Sequence, residues 1–399
     1  MNQSEDRITQ KIQKSNVYSV KVPRYNYSRK TFHVYKIDCF KASRLVLQGA
    51  WDSNPVFLHK TDLVGIIPAG TNGDNLIDSR RLGILLLFRL LLADQVENGR
   101  TFVFHAQATL PYLLLSRVVL FLLKRKETTL VYDMHDLHEK LPVKGIWRYI
   151  RYNFIRYYIL GLLERYCFRD EYIRKITVSE GLSREVARIY RCDMPVVVRS
   201  IPQPERRKLM DNLEGREQKA LVYFGAIAHA PLSLLDSIQK AGLELHLYGR
   251  DITREAVVER VGNRGLVCVD IFGEYLPENM DFLSNYACLL FYKPEDNSIN
   301  YRYSLPNKVF QALNAGLSLV VSENFIEIKE LFDGIPGAVI VLESGQDITQ
   351  VIERASSMRN ENNIQKLFDY LYKLHEQSKQ SYLKVTAYPD STKLECYRD

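Results

Sequence analysis

Hydrophobic residues along this chain form short runs typical of buried strands and longer stretches with helical spacing. The first half predicts a polar helix through Ile8 and Ile12, two apolar helices and four strands; the apolar helices lie at 82–92 and 111–123, and the strands at 17–22, 31–37, 101–105 and 129–132. The second half predicts strands at 175–179, 196–198, 220–224, 243–248, 265–271, 287–291 and 317–321. Strands and helices that alternate in this way predict an α/β fold with parallel sheets covered on both faces.

The chain is long enough for two domains. It has 399 residues, and a single hydrophobic core rarely organises more than about 250 to 300. The periodicity breaks between 199 and 218, where Ile201-Pro202-Gln203-Pro204 is followed by a charged run. The predicted boundaries are an N-terminal domain at 1–199, a linker at 200–219, a C-terminal domain at 220–375, and a helix or tail at 376–399 that packs back on the N-terminal domain.

Composition narrows the class of protein. With 46% hydrophobic and 25% charged residues, the chain is neither disordered nor fibrous. Its six cysteines contain no C-x-x-C pair, so we expect no zinc or redox site and a reducing compartment. The polar first residues argue against a secretory signal, and Arg89 and Arg117 interrupt the two apolar helices, so no membrane span is predicted. We therefore expect a cytoplasmic protein.

Charge is distributed unevenly and points to an anionic partner. Residues 1–200 carry a net charge of +13, whereas 201–399 carry −6. Within 144–169, aromatic residues are interleaved with cations, of which four are candidate acceptor- or membrane-facing residues: Lys144, Arg148, Arg151 and Arg156. The segment is either a solvated face over a core stripe of Ile150, Phe154, Tyr158 and Leu162, or a helix lying on an anionic membrane. Nucleic acid is not expected as a partner, because no nucleic-acid-binding motif is present.

The run from Ser304 to Ser322 carries the clearest chemical signal. Pro306 and Asn307 begin a predicted helix, Gly316 ends it, and 317–321 form a buried strand. The backbone N–H groups at a helix N-terminus attract phosphate, and Lys308 in the first turn adds a positive charge. The pattern alone is also typical of an ordinary capped helix.

As a whole, this run resembles the donor-binding signature of glycosyltransferase family 4, in the subgroup with an S-x-P-N-K-x-F-E-like motif. Four other segments resemble family elements in chain order: Val131 to Leu137, Ile176 to Leu182, Val222 to Gly225 and Phe272 to Pro277. The resemblance covers about residues 100 to 390. It implies the GT-B fold, in which two Rossmann-like, doubly wound parallel-sheet domains face each other across a cleft. The sugar nucleotide would bind the C-terminal domain and the acceptor the N-terminal domain.

The resemblance also implies roles for individual residues. Asn307, Lys308 and Gln311 would hold the donor phosphate and ribose, with Tyr303 and Pro306 beside them, and Gly225 would let the backbone approach the diphosphate. On the N-terminal domain, His135 and Asp136 would be the catalytic residues, lining the reacting face, with His105 as a further candidate. Transfer with retention needs no enzymic nucleophile in this family. The resemblance implies no cofactor, and no D-x-D run indicates a divalent-cation site, so we expect no metal and only a UDP- or GDP-linked sugar as substrate.

Three departures from the family pattern leave an alternative open. Tyr303 and Gln311 stand where the family has two glutamates, residues 226–231 contain no arginine or lysine, and the opening strand has no counterpart before Asp6. Either the start lies further upstream or this strand has been lost. We predict a retaining glycosyltransferase, peripheral on the inner face of the cell membrane, that extends a lipid-linked surface polysaccharide (capsule, O-antigen or exopolysaccharide). The alternative is a catalytically silent GT-B scaffold in a glycan-assembly complex, and a nucleotide-sugar epimerase ranks third.

Overall fold

The computed structural model describes residues 100–105, 107–124, 128–137, 139, 145–206, 209, 220–249, 252–262, 268–273, 283, 286 and 288–386, together with the backbone of several strands before residue 100. The chain divides into two compact units, one comprising Met1–Val198 with Ser378–Asp399 and the other Arg199–Gln377. The helices predicted around Ile8 and at 82–92 lie outside the described residues.

The N-terminal unit is built on a sheet of seven strands in the order β10-β9-β8-β7-β2-β6-β5. These strands are β2 (Thr31–Tyr35), β5 (Ile67–Ala69), β6 (Asp74–Asp78), β7 (Arg100–His105), β8 (Thr128–Met134), β9 (Ile173–Thr177) and β10 (Val196–Val197). All neighbours pair in parallel except β5 with β6. A separate sheet contains β1 (Val17–Val20), β3 (Arg44–Leu47) and β4 (Val56–His59).

Central strands of the N-terminal sheet are buried on both faces, as their continuous apolar sequences predict. The helices of this unit are α1 (Leu110–Leu122), α2 (Ile146–Tyr149), a π-helical continuation (Ile150–Leu160), α3 (Gly161–Arg169) and α4 (Glu180–Tyr190). Ser179 caps α4 by accepting a hydrogen bond from the Leu182 amide at 3.2 Å. Val103 and Val131 in the strands pack in one cluster with Tyr382 and Val385 near the C-terminus.

The C-terminal unit contains six strands in the order β13-β12-β11-β14-β15-β16, all paired in parallel. These strands are β11 (Ala220–Phe224), β12 (Glu244–Tyr248), β13 (Val269–Gly273), β14 (Cys288–Phe291), β15 (Ser318–Val321) and β16 (Val339–Val341). In chain order this is the 3-2-1-4-5-6 arrangement of a Rossmann sheet, whose strand order reverses between β11 and β14. Such sheets bind ligands at the carboxyl ends of the strands beside this reversal.

Helices cover both faces of the C-terminal sheet, and each face has its own apolar core. They are α5 (Leu235–Lys240), α6 (Arg254–Val261), α7 (Ile299–Tyr303), α8 (Asn307–Asn314), α9 (Ile326–Leu331), α10 (Ile348–Ser357) and the first part of α11 (Glu361–Thr386). Val309, Phe310 and Leu313 on α8 are buried, as the helical spacing predicts. The expected α/β class, with parallel sheets in two domains, is confirmed.

One helix differs from its prediction. An apolar stretch such as 111–123 that does not span a membrane is ordinarily a core helix, but α1 buries only one face, with Leu113, Ser116 and Leu120. Val118, Phe121 and Leu122 are exposed, and Phe121 keeps 69% of its surface in solvent. Apart from Ser116 and Arg117, the segment is apolar on all sides, so its sequence could not show that half of it would remain uncovered.

A buried carboxyl group holds α3 against the N-terminal sheet. Glu164 accepts hydrogen bonds from the hydroxyls of Tyr132 at 2.5 Å and Tyr190 at 2.6 Å. Burial raises the pKa of Glu164 from 4.5 to about 7, although these hydrogen bonds oppose the shift. The folded protein therefore retains a proton on Glu164 over a pH range in which the unfolded chain has lost it.

The stability of the N-terminal unit should consequently fall as the pH rises from 5 to 7. Below pH 4.5 both states bind the proton, whereas above pH 7 the folded state has to ionise a buried group, which costs up to about 3 kcal/mol. Amide hydrogen exchange of β8 and β9, measured as denaturant is added, reports on the unfolding of this unit, because both strands lie in its sheet. Glu164→Gln should flatten the pH dependence and exposed Glu171→Gln should not; an unchanged profile in Glu164→Gln would contradict the assignment.

Candidate functional site

The candidate site of the C-terminal unit lies where its strand order reverses. Gly225 directly follows β11, and Phe291 is the last residue of β14. The first turn of α8 brings Lys308 to the same place, where its ammonium group lies 3.3 Å from the Phe224 carbonyl oxygen at the end of β11. The chain thus places a cation at the position where a Rossmann sheet binds its ligand.

Two aromatic rings surround the Lys308 ammonium. Its Nζ atom lies 4.4 Å from the centre of the Tyr223 ring and 4.8 Å from that of Phe291. It also donates a hydrogen bond to the Tyr223 hydroxyl at 3.2 Å. Burial among these groups lowers the pKa of Lys308 from 10.5 to about 7, because it disfavours the charged form. An anion arriving here would restore the charge.

The turn after β11 requires glycine. Gly225 has a φ of +141°, and a Cβ atom there would lie 2.9 Å from Lys308 Nζ. The Gly225 amide donates to the Tyr248 carbonyl at 2.8 Å. A Cβ atom on Gly249 would lie 2.1 Å from the Gly225 carbonyl oxygen. Tyr223 fixes the turn further by donating from its hydroxyl to Ala226 O at 2.8 Å. Both glycines therefore preserve the close approach of backbone and cation.

The other predicted donor-binding residues lie on or beside α8. Pro306 precedes the helix with φ −66° and ψ 144°, and Asn307 is its first residue. Gln311 is buried one turn later, on the face that Asn307 begins. Tyr303 is the last residue of α7, and its ring lies 5.5 Å from the guanidinium of Arg302. The structure brings Gly225 and Lys308 into contact. The other four predicted residues lie close to Lys308 along the chain: Tyr303, Pro306, Asn307 and Gln311.

A cavity of about 740 Å³ opens at the carboxyl ends of β14, β15 and β16. Its lining carries charges of both signs: Arg302, Lys329, Glu323 and Glu343. Asn324 fixes one wall of this cavity. Its side-chain amide donates hydrogen bonds to the carbonyl oxygens of Lys293, at 2.9 Å, and of Asp296. The sequence points to Arg302, as a further cation for the diphosphate, but not to Lys329, Glu323 or Glu343, because nothing in the motif links the loops that follow three different strands.

In the N-terminal unit, His135 and Asp136 follow β8 and are exposed. The buried Asp133 carboxylate lies 3.0 Å from His135 Nε2 and raises the pKa of His135 to about 9. At neutral pH the ring is therefore an imidazolium, which can donate hydrogen bonds but cannot act as a base. His105 ends β7, opposite Asp133 in the strand register, and its side chain lies outside the described residues.

The basic aromatic segment is exposed along much of its length. Trp147 keeps 81% of its surface in solvent, and Arg148 is also exposed. One of the two interpretations, a core stripe through Phe154, Tyr158 and Leu162, is wrong, since all three side chains are exposed. Lys144 and the side chains of Arg151 and Arg156 lie outside the described residues.

The exposed part of this segment adjoins another apolar surface. Helix α3, which ends the segment, contacts α1. Arg117 on α1 pairs with Asp170 at 3.0 Å and lies 4.2 Å from the centre of the exposed Tyr172 ring. None of the helices in the described part of the chain is both long and apolar enough to cross a bilayer.

This chain is similar to known proteins in structure but not in sequence. No protein-family model matches this chain, and no curated protein matches its sequence. The catalytic domain of starch synthase IV from Arabidopsis thaliana, solved with ADP and acarbose, is similar with a TM-score of 0.53 at 9% identity, covering 93% of this chain and 99% of that one. The fold is that of the GT-B glycosyltransferases.

Two other solved structures are similar at lower TM-scores. A glycosyltransferase from Rickettsia africae has a TM-score of 0.49 at 11% identity, covering 94% of this chain and 95% of that one. S. aureus TarM, in complex with UDP, has a TM-score of 0.48 at 9% identity over 85% of this chain, which spans 63% of the length of TarM. The similarity to the starch synthase domain, with its TM-score of 0.53, confirms the predicted GT-B fold, whereas membership of family 4 stays a prediction.

The structure adds residues that the motif did not indicate. Tyr223 and Phe291 enclose the Lys308 ammonium, and Gly249 makes room for the Gly225 turn. Tyr223 and Gly249 could have been suspected, because each belongs to the end of a strand that points toward the ligand edge. Phe291, the last residue of its predicted strand, carried the same signal, but no motif singled it out.

The elevated pKa of His135 can be measured directly. Histidine NMR titration of the full-length protein should show this ring titrating near pH 9, and Asp133→Asn should lower its pKa by at least one unit, because the carboxylate is the main cause of the shift. Asp136→Asn should have a smaller effect. An unchanged titration in Asp133→Asn would show that the contact does not form in solution.

Proposed function

We propose that this protein is a retaining glycosyltransferase similar to family 4. It transfers a hexose-type sugar from a UDP- or GDP-linked donor to a growing, lipid-linked surface polysaccharide such as a capsule, O-antigen or exopolysaccharide. The observation that carries the proposal is the Lys308 ammonium held against the Gly225 turn, at the strand reversal of a sheet with the GT-B fold.

The donor diphosphate would bind at this turn. Lys308 supplies a positive charge, and the N-terminus of α8 adds backbone N–H donors and the positive end of its dipole. Gly225 lets the backbone approach the phosphates closely. As the bond to the sugar breaks, negative charge grows on the leaving diphosphate, and preorganised donors around it lower the barrier. Gln311 and Asn307 would hold the ribose through neutral hydrogen bonds.

The acceptor end would rely on His135 and Asp136. An imidazolium held by Asp133 can donate a hydrogen bond to a sugar oxygen or to a developing negative charge. It cannot remove the proton from the acceptor hydroxyl at neutral pH. This agrees with a mechanism in which the leaving phosphate itself assists deprotonation of the acceptor hydroxyl. Retention is tested separately, by reading the anomeric configuration of the product by NMR.

Membrane binding would bring the enzyme to a lipid-linked acceptor. The exposed apolar residues of α1 and of the segment 146–172 are interleaved with Arg148, Arg165 and Arg169. Apolar and aromatic side chains enter the headgroup layer, and each cation near an anionic surface contributes about 1 kcal/mol. The proposed surface includes Lys144, Arg151 and Arg156 from the sequence prediction.

The residues at two donor-site positions favour the alternative function, a catalytically silent scaffold. Tyr303 and Gln311 replace both family carboxylates, so the donor sugar and ribose lose charge-assisted hydrogen bonds, which are about twice as strong as neutral ones. The two functions differ in whether the site binds a nucleotide at all.

Calorimetric titration of the full-length protein with UDP-, GDP- and dTDP-sugars should identify one binding class. Lys308→Ala should weaken that binding at least about tenfold, since a hydrogen bond to a charged group contributes about 1.5 to 3 kcal/mol. Lys240→Ala, which removes an exposed lysine of the same unit, is the matched control. A folded protein that binds no nucleotide would favour the scaffold.

The same titration should depend on pH. With a free pKa of about 7, Lys308 is charged below pH 7, and binding is then strongest. Above pH 7 the diphosphate has to draw a proton onto the amine, so affinity should fall by up to about tenfold per pH unit. The slope should be absent in Lys308→Ala, and an affinity independent of pH between 6.5 and 8.5 in the wild type would rule out this role for the amine.

Vesicle sedimentation tests the membrane surface. The protein should bind vesicles that contain about a third phosphatidylglycerol more strongly than pure phosphatidylcholine, because the cations act only on anionic headgroups. Trp147→Ser combined with Phe121→Ser should reduce binding, since both side chains are exposed on this surface. Tyr372→Ser removes an exposed aromatic from the C-terminal unit as a control. Equal loss in the control would show that the surface is not specific.

A further inference from the structure

Three potential metal ligands share one face of the C-terminal sheet, apart from the proposed donor site. Glu244 and His246 are two residues apart on β12, so their side chains point to the same side. Asp270 lies directly opposite His246 on the neighbouring strand β13. Strand β13 ends the sheet, so the three side chains sit at its edge.

The distances among these side chains match those between ligands of one metal ion, and the hydrogen bond between His246 Nε2 and Glu244 Oε2 is long at 3.4 Å. His246 Nε2 lies 3.4 Å from Glu244 Oε2 and 3.5 Å from Asp270 Oδ2. A charge-assisted hydrogen bond is about 2.7 to 2.9 Å long, and one ring nitrogen can donate its proton to only one carboxylate. In a tetrahedral site with bonds of about 2.1 Å, neighbouring ligand atoms are about 3.4 Å apart. All three ligand atoms lie within 4.8 Å of one another.

The surroundings of His246 hold the ring in a ligating orientation. Its Nδ1 atom lies 2.9 Å from the hydroxyl of the buried Tyr286, which is itself 2.7 Å from the Tyr248 hydroxyl. A proton on Nδ1 that is donated to Tyr286 leaves the Nε2 lone pair facing the two carboxylates. Phe272 packs on the ring, with centroids 4.9 Å apart. A second partner that fixes the tautomer and orientation is typical of metal-binding histidines.

We propose that Glu244, His246 and Asp270 bind a divalent transition metal, with Zn²⁺ as the preferred ion. One imidazole and two carboxylates neutralise the ion and favour Zn²⁺ over the purely oxygen-ligated Mg²⁺ and Ca²⁺. Glu244 and Asp270 are mostly exposed, which leaves room for water to complete the coordination. The metal would join the end strand β13 to β12.

This site does not rest on the proposed donor chemistry. The metal would bind whether or not the Lys308 site accepts a nucleotide, so Lys308→Ala should leave metal affinity unchanged. The two proposals can therefore fail separately.

Calorimetric titration with Zn²⁺, using full-length protein freed of metal by a chelator and carrying no affinity tag, tests the proposal. The wild type should bind one ion more tightly than His246→Gln by at least about tenfold, the lower end of what even outer partners of a metal site contribute. His229→Gln, which removes an exposed histidine of the same unit, should bind like the wild type. Mg²⁺ should bind far more weakly than Zn²⁺.

Anomalous diffraction at the zinc edge, from crystals grown with Zn²⁺, locates the ion independently of folding effects in the variants. A peak within about 2.2 Å of His246 Nε2 would establish the site. A peak only elsewhere, or a Zn²⁺ affinity equal in wild type and His246→Gln, would overturn it.

Discussion

The C-terminal unit depends on the close approach of two turns at one edge of its sheet. The Gly225 amide binds the Tyr248 carbonyl, and Gly249 passes so close to Gly225 that a single additional carbon atom would collide with the backbone. Because neither glycine carries a side chain, the Lys308 amine can reach the end of β11 and lie between two aromatic rings. A side chain at Gly225 would occupy this space, so the glycine keeps it open for the partly buried Lys308 amine.

That arrangement makes the proposed donor site sensitive to protons. A protein with several permanent cations around the diphosphate would bind it with little dependence on pH. Here residues 226–231 contain no lysine or arginine, and burial lowers the pKa of Lys308 to about 7. Binding of a diphosphate would therefore be coupled to proton uptake by this amine.

The sequence predicted the fold class well because alternation of apolar runs and helical stretches extends over many elements, and an error in one does not alter the class. It predicted Gly225 and Lys308 through a local motif, but their contact arises only when β11 and α8 meet. Features that depend on long-range register were not predictable. Asp270 lies 24 residues beyond His246, and only the pairing of β12 with β13 sets them side by side. The exposure of α1 was also not predictable, because a helix that is apolar on nearly all sides is equally typical of a core.

Helix α3, which carries part of the exposed apolar surface of the N-terminal unit, is anchored to the core through its opposite face. Helix α3 exposes Leu162 and Tyr166, yet its opposite face is anchored by Glu164, whose carboxyl group binds the hydroxyls of Tyr132 and Tyr190 in the core. Burying a carboxyl group is costly, and a loosely attached helix would not maintain it. Because the attachment of α3 is fixed by these hydrogen bonds, its outer residues cannot turn inward to escape water without breaking them. Such a surface remains available for a membrane, and this supports the proposal that the apolar side chains serve binding rather than the core.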